Sequence, residues 1–149
     1  MTRGPGTGLM GGGPVDTSGA AAPEEVRTMG QPVVHFEILG RDPVALAAFY
    51  RAMFGWEADT ANPLSYGVIA REDNLGDGGV GIGGGIGRSP EGHPGHVTVY
   101  VAVPDVEAAL ARAEVMGGTR TMGPEPVVEG VEIGLFTDPE GHLIGVLRG

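Results

Sequence analysis

Val33-Val34-His35-Phe36-Glu37-Ile38 reads as a strand with Val34, Phe36 and Ile38 on one face and His35 and Glu37 on the other. Asp42-Pro43 follows as a helix start, an N-cap side chain and then proline at the first helical position, and Gly55 supplies a stop. The unit is therefore strand, then helix. A second copy begins at Gly95: Val97, Val99, Val101 and Val103 share one face of a strand, and His96, Thr98, Tyr100 and Ala102 the other. Asp105 then caps a helix carrying Val106, Ala109, Leu110, Ala113 and Met116, which ends at Gly117-Gly118. Superposing Asp105 on Asp42 gives an offset of 105 minus 42, or 63, which makes Thr98 the counterpart of His35 and Tyr100 the counterpart of Glu37. Any function has to arise in the cleft that the two strands share.

The strands between and after these units complete the repeat. The helix from Pro43 to Phe54 is expected to lay Val44, Ala47, Ala48, Met53 and either Phe49 or Phe54 against the sheet. Strands are expected at Trp56 to Thr60, after which Asn62-Pro63 turns the chain, and at Tyr66 to Ala70. In Val80 to Ile86, Val80, Ile82 and Ile86 fall on one face and Gly81, Gly83 and Gly85 on the other, so one face lacks side chains. Such a face is either a floor for a flat or bulky ligand, or a place where other parts of the chain approach the backbone closely. Module two continues with strands at Thr119 to Met122, Val131 to Thr137 and His142 to Leu147, the last two joined by a turn at Asp138-Pro139-Glu140-Gly141. The expected fold is α+β: two tandem βαβββ modules, about 31–88 and 95–149, forming curved mixed sheets around a cleft. Residues 1–30, with eight glycines and no apolar period, read as a disordered arm, and Met10 and Met29 are alternative starts.

Composition narrows the classes of partner. Nine Lys and Arg against 19 Asp and Glu, a net charge of −10, disfavour nucleic acid and anionic membrane surfaces. With no cysteine there are no disulfides, thiolate metal sites or cysteine nucleophiles. No apolar run reaches about 18 residues, and no signal-peptide core follows the N-terminal charge, so a cytoplasmic protein is expected. Gly76-x-Gly78-x-x-Gly81 spells a dinucleotide fingerprint, but it precedes a strand and Ser89-Pro90 instead of opening a helix, so no nucleotide site is expected.

The two modules, the Phe49-Tyr50 pair in the first helix, Phe54-Gly55-Trp56 after it and the Asp138-Pro139-Glu140-Gly141 hairpin resemble the vicinal oxygen chelate superfamily of glyoxalases, bleomycin-resistance proteins and extradiol dioxygenases. The resemblance covers about residues 31–149 and implies a small organic ligand, aromatic or antibiotic-like, and a homodimer. In metal-dependent members the ligands come from the first and last strands of each module. His35 matches the first such position. Its counterpart is Thr98, or His96 after a shift of register, and the last-strand positions fall in Gly81 to Gly85 and near Gly145, which offer no donor. No cofactor is expected on this pattern. If a divalent metal binds, His35, Glu37 and His96 are its donors, with His93 or His142 as distant substitutes.

Without a metal, Glu37 in the cleft is a general base, its proton affinity raised by desolvation, and His35, Thr98 and Tyr100 are its polar partners. That combination suits proton abstraction next to a carbonyl, of isomerase or lyase type. Equally, Glu37 is a satisfied buried carboxylate that fixes strand register. Gly83, Gly85, Trp56, Tyr66, Thr98 and His96 are the expected ligand-binding residues, although Trp56 also suits the core beside a helix end. Sequestration of an antibiotic without catalysis is the alternative function, and metal-dependent glyoxalase-like or dioxygenase-like catalysis a third.

Overall fold

A computed structural model describes residues 29–149, so the arm expected over residues 1–30 lies outside the described residues except for Met29 and Gly30. Over Gln31–Gly149 the elements are β1 (Val33–Gly40), α1 (Pro43–Phe54), β2 (Tyr66–Ile69), β3 (Gly83–Arg88), β4 (His96–Ala102), α2 (Val106–Val115), β5 (Thr119–Val128), β6 (Val131–Thr137) and β7 (Leu143–Arg148). The seven strands form one mixed sheet in the order β2-β3-β1-β4-β7-β6-β5, which curls into a half-barrel.

The two modules meet along the antiparallel pair β1 and β4, and their register carries the repeat. Phe36 pairs with Val99, its own counterpart on the offset of 63, so a local two-fold axis passes through that pair. His35 then pairs with Tyr100 and Glu37 with Thr98, two pairs that the axis exchanges. The flanking parallel pairs repeat the relation, with Glu37 against Gly85 on β3 and Tyr100 against Gly145 on β7. His35, Glu37, His96, Thr98 and Tyr100 therefore share the concave face, and Phe36 and Ile38 point to the helices.

Both helices begin where their caps dictate. Asp42 accepts from Ala45 N at 3.0 Å and Asp105 from Ala108 N at 2.9 Å, while Gly55, at φ 74°, closes α1 in the left-handed conformation. Val106 and Leu110 of α2 are fully buried beside Val103 and Val146, as the apolar spacing predicts. The face of α1 differs from expectation. Leu46 and Tyr50 pack toward Ile38, Ile69 and Ile86, whereas Val44 and Met53 are 63 % and 57 % exposed. Because Pro43 to Phe54 is apolar almost all round, its pattern establishes a helix without establishing which stripe turns inward.

Three strand expectations need correction. Residues 56–60 form no ladder: Asp59 Oδ1 takes Ala61 N, and Asn62 Nδ2 ties Asp59 O to Tyr66 O, so turn chemistry holds this segment. β3 starts at Gly83 and not at Val80, since the Ile82 carbonyl accepts from Asn74 Nδ2 at 2.6 Å. β5 runs on to Val128 through Pro124 and Pro126, which an edge strand tolerates with its bulges. The turn after β6 is as expected, with Gly141 N on Asp138 O and Gly141 at φ 92°.

Candidate functional site

The concave face brings a carboxylate, two phenols and two imidazoles into one hydrogen-bonded cluster. Glu37, 8 % exposed, is its centre. Its Oε1 accepts from Tyr66 Oη at 3.2 Å, and its Oε2 accepts from Tyr100 Oη at 3.2 Å and from His96 Nε2 at 2.8 Å. Since an ionised carboxylate only accepts, His96 Nε2 carries the hydrogen. The Tyr66 hydrogen is committed to Glu37, so the Tyr66 oxygen accepts from His35 Nε2 at 2.9 Å. The result is a directed chain, His35 to Tyr66 to Glu37, joined at the carboxylate by His96 and Tyr100. Each bond in such a chain polarises the next. His35 also sets its ring edge-on to Tyr100, with centroids 5.7 Å apart.

Both phenols are seated on glycine. A β-carbon added at Gly85 would collide with the Tyr66 ring, and one added at Gly145 with the Tyr100 ring. Of the two readings of the side-chain-free face, close approach is the one the structure shows, and the Tyr66 ring takes the place offered to a ligand at Gly85. Gly83 is closed too, by the Ile69 carbonyl 2.6 Å from where its β-carbon would stand. Burial first, and then the Glu37 charge beside them, push both phenols up from their ordinary range, so they stay protonated donors. Burial lowers His35, partly opposed by Glu37, which keeps its imidazole neutral near neutral pH.

Of the residues expected to form the site, His35, Glu37, Tyr66, His96 and Tyr100 come together. Thr98 and Trp56 do not. Thr98, 4 % exposed, donates its hydroxyl to Leu143 O at 2.6 Å and so ties β4 to β7. Trp56 lies on the helix side, among Phe36, Tyr50 and Phe54, with ring centroids 4.8, 5.3 and 5.1 Å away. His142 is held by Asp138 at 3.0 Å, and His93 is exposed on the loop before β4. What the residue pattern did not reveal is that each tyrosine needs a glycine on the next strand. The alternation of glycines in β3 was the available signal.

The residues do not fit the metal centre found in metal-dependent vicinal oxygen chelate proteins. The resemblance puts the last-strand donors of those proteins within Gly81 to Gly85 and near Gly145, and at Gly85 and Gly145 the tyrosine rings occupy the space a donor side chain would need. His35, Glu37 and His96 spend the bonds described on Tyr66 and on one another. Among the described residues, no group of three or more His, Cys, Asp or Glu side chains is arranged to hold a metal ion.

The model of the glyoxalase-like domain family matches residues 33–147. This chain belongs to the glyoxalase-like family. Its membership agrees with the vicinal oxygen chelate resemblance and makes it a small-molecule-binding protein of that superfamily. Among curated relatives, the chain is 30 % identical over 112 residues to CFP32 of Mycobacterium tuberculosis, whose name assigns it only provisionally as a glyoxylase. It is 28 % identical over 124 residues to the anthracycline biosynthesis protein DnrV of Streptomyces peucetius. These matches take in 75 % and 76 % of this chain but 42 % and 45 % of the relatives, so the glyoxalase-like chain spans less than half their length. Among solved structures, a variant of the Streptomyces coelicolor methylmalonyl-CoA epimerase in complex with 2-nitronate-propionyl-CoA superposes with a TM-score of 0.55 at 18 % identity, covering 80 % of this chain and 97 % of that one. A glyoxalase/bleomycin resistance protein/dioxygenase superfamily member from Vibrio splendidus gives 0.52 at 16 % identity, covering 80 % and 100 %. At these identities both show the shared fold. No helix among the described residues is long and apolar enough to cross a membrane.

Proposed function

We propose that the concave cluster binds a small carbonyl compound and moves a proton next to the carbonyl without a metal, Glu37 taking the proton and returning it. The observation that carries this reading is the convergence of three donors, Tyr66, Tyr100 and His96, on one buried carboxylate, with His35 behind Tyr66. In the forward step the C–H bond breaks, its proton goes to Glu37 and its electron pair to the carbonyl oxygen as an enolate. A protonated Glu37 no longer needs the Tyr66 and Tyr100 hydrogens. Both phenols remain neutral, so their hydroxyls can turn to the enolate oxygen. Return of the proton to either face or to a neighbouring carbon gives an isomer. The epimerases among the structural neighbours support the reaction class, and the ring-filled Gly85 and Gly145 seats support its independence from metal.

A second reading, binding without turnover, is favoured by a specific feature: both Glu37 oxygens already accept bonds within the protein. An antibiotic-like ligand then sits over the cluster, and the relative named for anthracycline biosynthesis makes an anthracycline the first probe. Under either reading we take the protein as a homodimer, since α1 turns Val44, Phe49, Met53 and Phe54 outward and such a patch favours cover by a second copy.

The experiment follows deuterium uptake from D2O into the α-carbon of methylmalonyl-CoA, by mass spectrometry, alongside anthracycline binding by fluorescence. Catalysed uptake that falls about 100-fold or more in Glu37→Gln, with binding kept, is the result expected for a base. Uptake equal in wild type and Glu37→Gln refutes that role. Anthracycline binding with no uptake moves the assignment to the second reading.

A further inference from the structure

On the helix side of the sheet the two modules are filled differently. Leu46 and Tyr50 pack between α1 and its strands, and the offset of 63 places Ala109 and Ala113 at those positions in α2. Leu110, at the counterpart of Ala47, takes up part of that volume on the other side of α2. A cavity of about 530 Å³ lies between α2 and the strands β4, β6 and β7, walled by Val101, Val103, Ala109, Ala113, Phe136 and Val146. It opens to solvent along one side, and its size and apolar lining are those of clefts that bind small organic molecules.

Charge selects the kind of molecule. Three ionisable side chains line the cavity: Asp105, Arg112 and Asp138. Asp105 is spent on capping α2 at Ala108 N. Asp138 accepts from Glu140 N and His142 N and pairs with the His142 ring, and the backbone N–H of His142 leads in holding its carboxyl below the usual range. Arg112 is exposed and, among the described residues, forms no ion pair, whereas Arg120 is held by both Glu107 and Glu114. In a chain with 19 acidic and 9 basic residues an anion gains only from a local cation, and Arg112 is the lining cation that forms no ion pair among the described residues.

We propose that this cavity is a second ligand site, on the face opposite Glu37, for a small molecule with an apolar body and a single anionic group. The body lies under α2 against Phe136 and Val146, and the anion pairs with Arg112 at the mouth. The inference is independent of the role given to Glu37.

The test is calorimetric titration of the full chain with decanoate and, in parallel, with decanol. Decanoate is expected to bind saturably, one per chain. Filling the cavity with the module-one residues, Ala109→Leu with Ala113→Tyr, weakens it about tenfold or more, and Ala113→Leu alone serves as the filling variant if the pair does not fold. Arg112→Gln weakens decanoate about tenfold, the usual scale for one charge-assisted pair, and leaves decanol within about twofold. Absence of saturable decanoate binding overturns the proposal, as does binding unchanged in the filled variant or in Arg112→Gln. Decanoate binding that survives filling and disappears in Glu37→Gln overturns it too, by placing the probe on the concave face.

Discussion

Gly85→Ala inserts one methyl group into the seat of the Tyr66 ring, and the three heavy atoms nearest to that methyl all belong to Tyr66. Gly85 lies within the β3 ladder, paired with Glu37 on one side and Val68 on the other, so its backbone has little freedom to retreat. The ring must move instead. Overpacking of this kind costs about 1 to 3 kcal/mol. A displaced Tyr66 also gives up its bonds to Glu37 and His35, leaving Oε1 of a buried carboxylate short of a donor, for about 1 to 3 kcal/mol more. The expected loss is about 2 to 6 kcal/mol. Urea unfolding followed by Trp56 measures it, because Trp56 is the one tryptophan and sits in the aromatic cluster on the far face, away from the substitution. The decisive comparison is with Tyr66→Ala. Once the ring is gone the methyl has space, so Gly85→Ala in that background is expected to cost less than about 1 kcal/mol, a strong departure from additivity. Additive losses in the double variant, or a single-variant loss under about 0.5 kcal/mol, would show that Gly85 is not reserved for the tyrosine.

Leu110→Ala is expected to cost about 2 to 5 kcal/mol in the same urea experiment, since Leu110 is fully buried beneath α2; a smaller loss would mean that the helix settles into the space. Asp105→Ala is expected to cost about 1 kcal/mol through loss of the bond to Ala108 N, with Asp105→Asn restoring most of it. For pH, burial lowers the folded His35 below its ordinary 6.5, so the unfolded chain binds the proton first as pH falls. Stability is therefore complete above about 6.5 and declines as pH drops from there toward the folded value. His35→Gln is expected to flatten that part of the curve relative to wild type, and identical slopes in the two proteins would refute the assignment.

What could be read from the residues was local. Asp42-Pro43 and Gly55, Asp105, and Asp138 to Gly141 carry their own instructions in one side chain or one left-handed residue, and each is found where the chemistry puts it. The repeat was legible for the same reason, because two copies of one cap set the offset that the β1 and β4 register then obeys. His35, Glu37, His96 and Tyr100 followed from period two on those strands. The inward face of α1 did not, since a helix with apolar residues on every side leaves the sheet to choose the stripe. Nor did the strand expected at residues 56–60, where Asp59 and Asn62 hold the backbone in place of a neighbouring strand. The seating of Tyr66 on Gly85 joins residues whose proximity depends on the register of β2 on β3, and spacing within one segment contains no information about that.

The local two-fold axis explains why the cluster is lopsided. Glu37 and Tyr100 are counterparts, and their side chains meet at 3.2 Å beside the axis. A symmetric pair of carboxylates at that separation would force one to hold its proton, and a symmetric pair of phenols would leave the cleft without a carboxylate. One acid and one phenol satisfy each other. The remaining Glu37 oxygen then needs a donor from outside the β1 and β4 pair, and β2 supplies Tyr66 from the edge of module one, at a position that the repeat does not duplicate. The glycines that admit the rings are likewise one per module, Gly85 beside Glu37 and Gly145 beside Tyr100. Repetition thus builds the cleft, and the departures from it at Glu37, Tyr66 and Tyr100 give the cleft one charged centre. On the opposite face, Ala109 and Ala113 depart from Leu46 and Tyr50 in the other direction, exchanging bulk for space, so module two combines a closed polar face with an open apolar one.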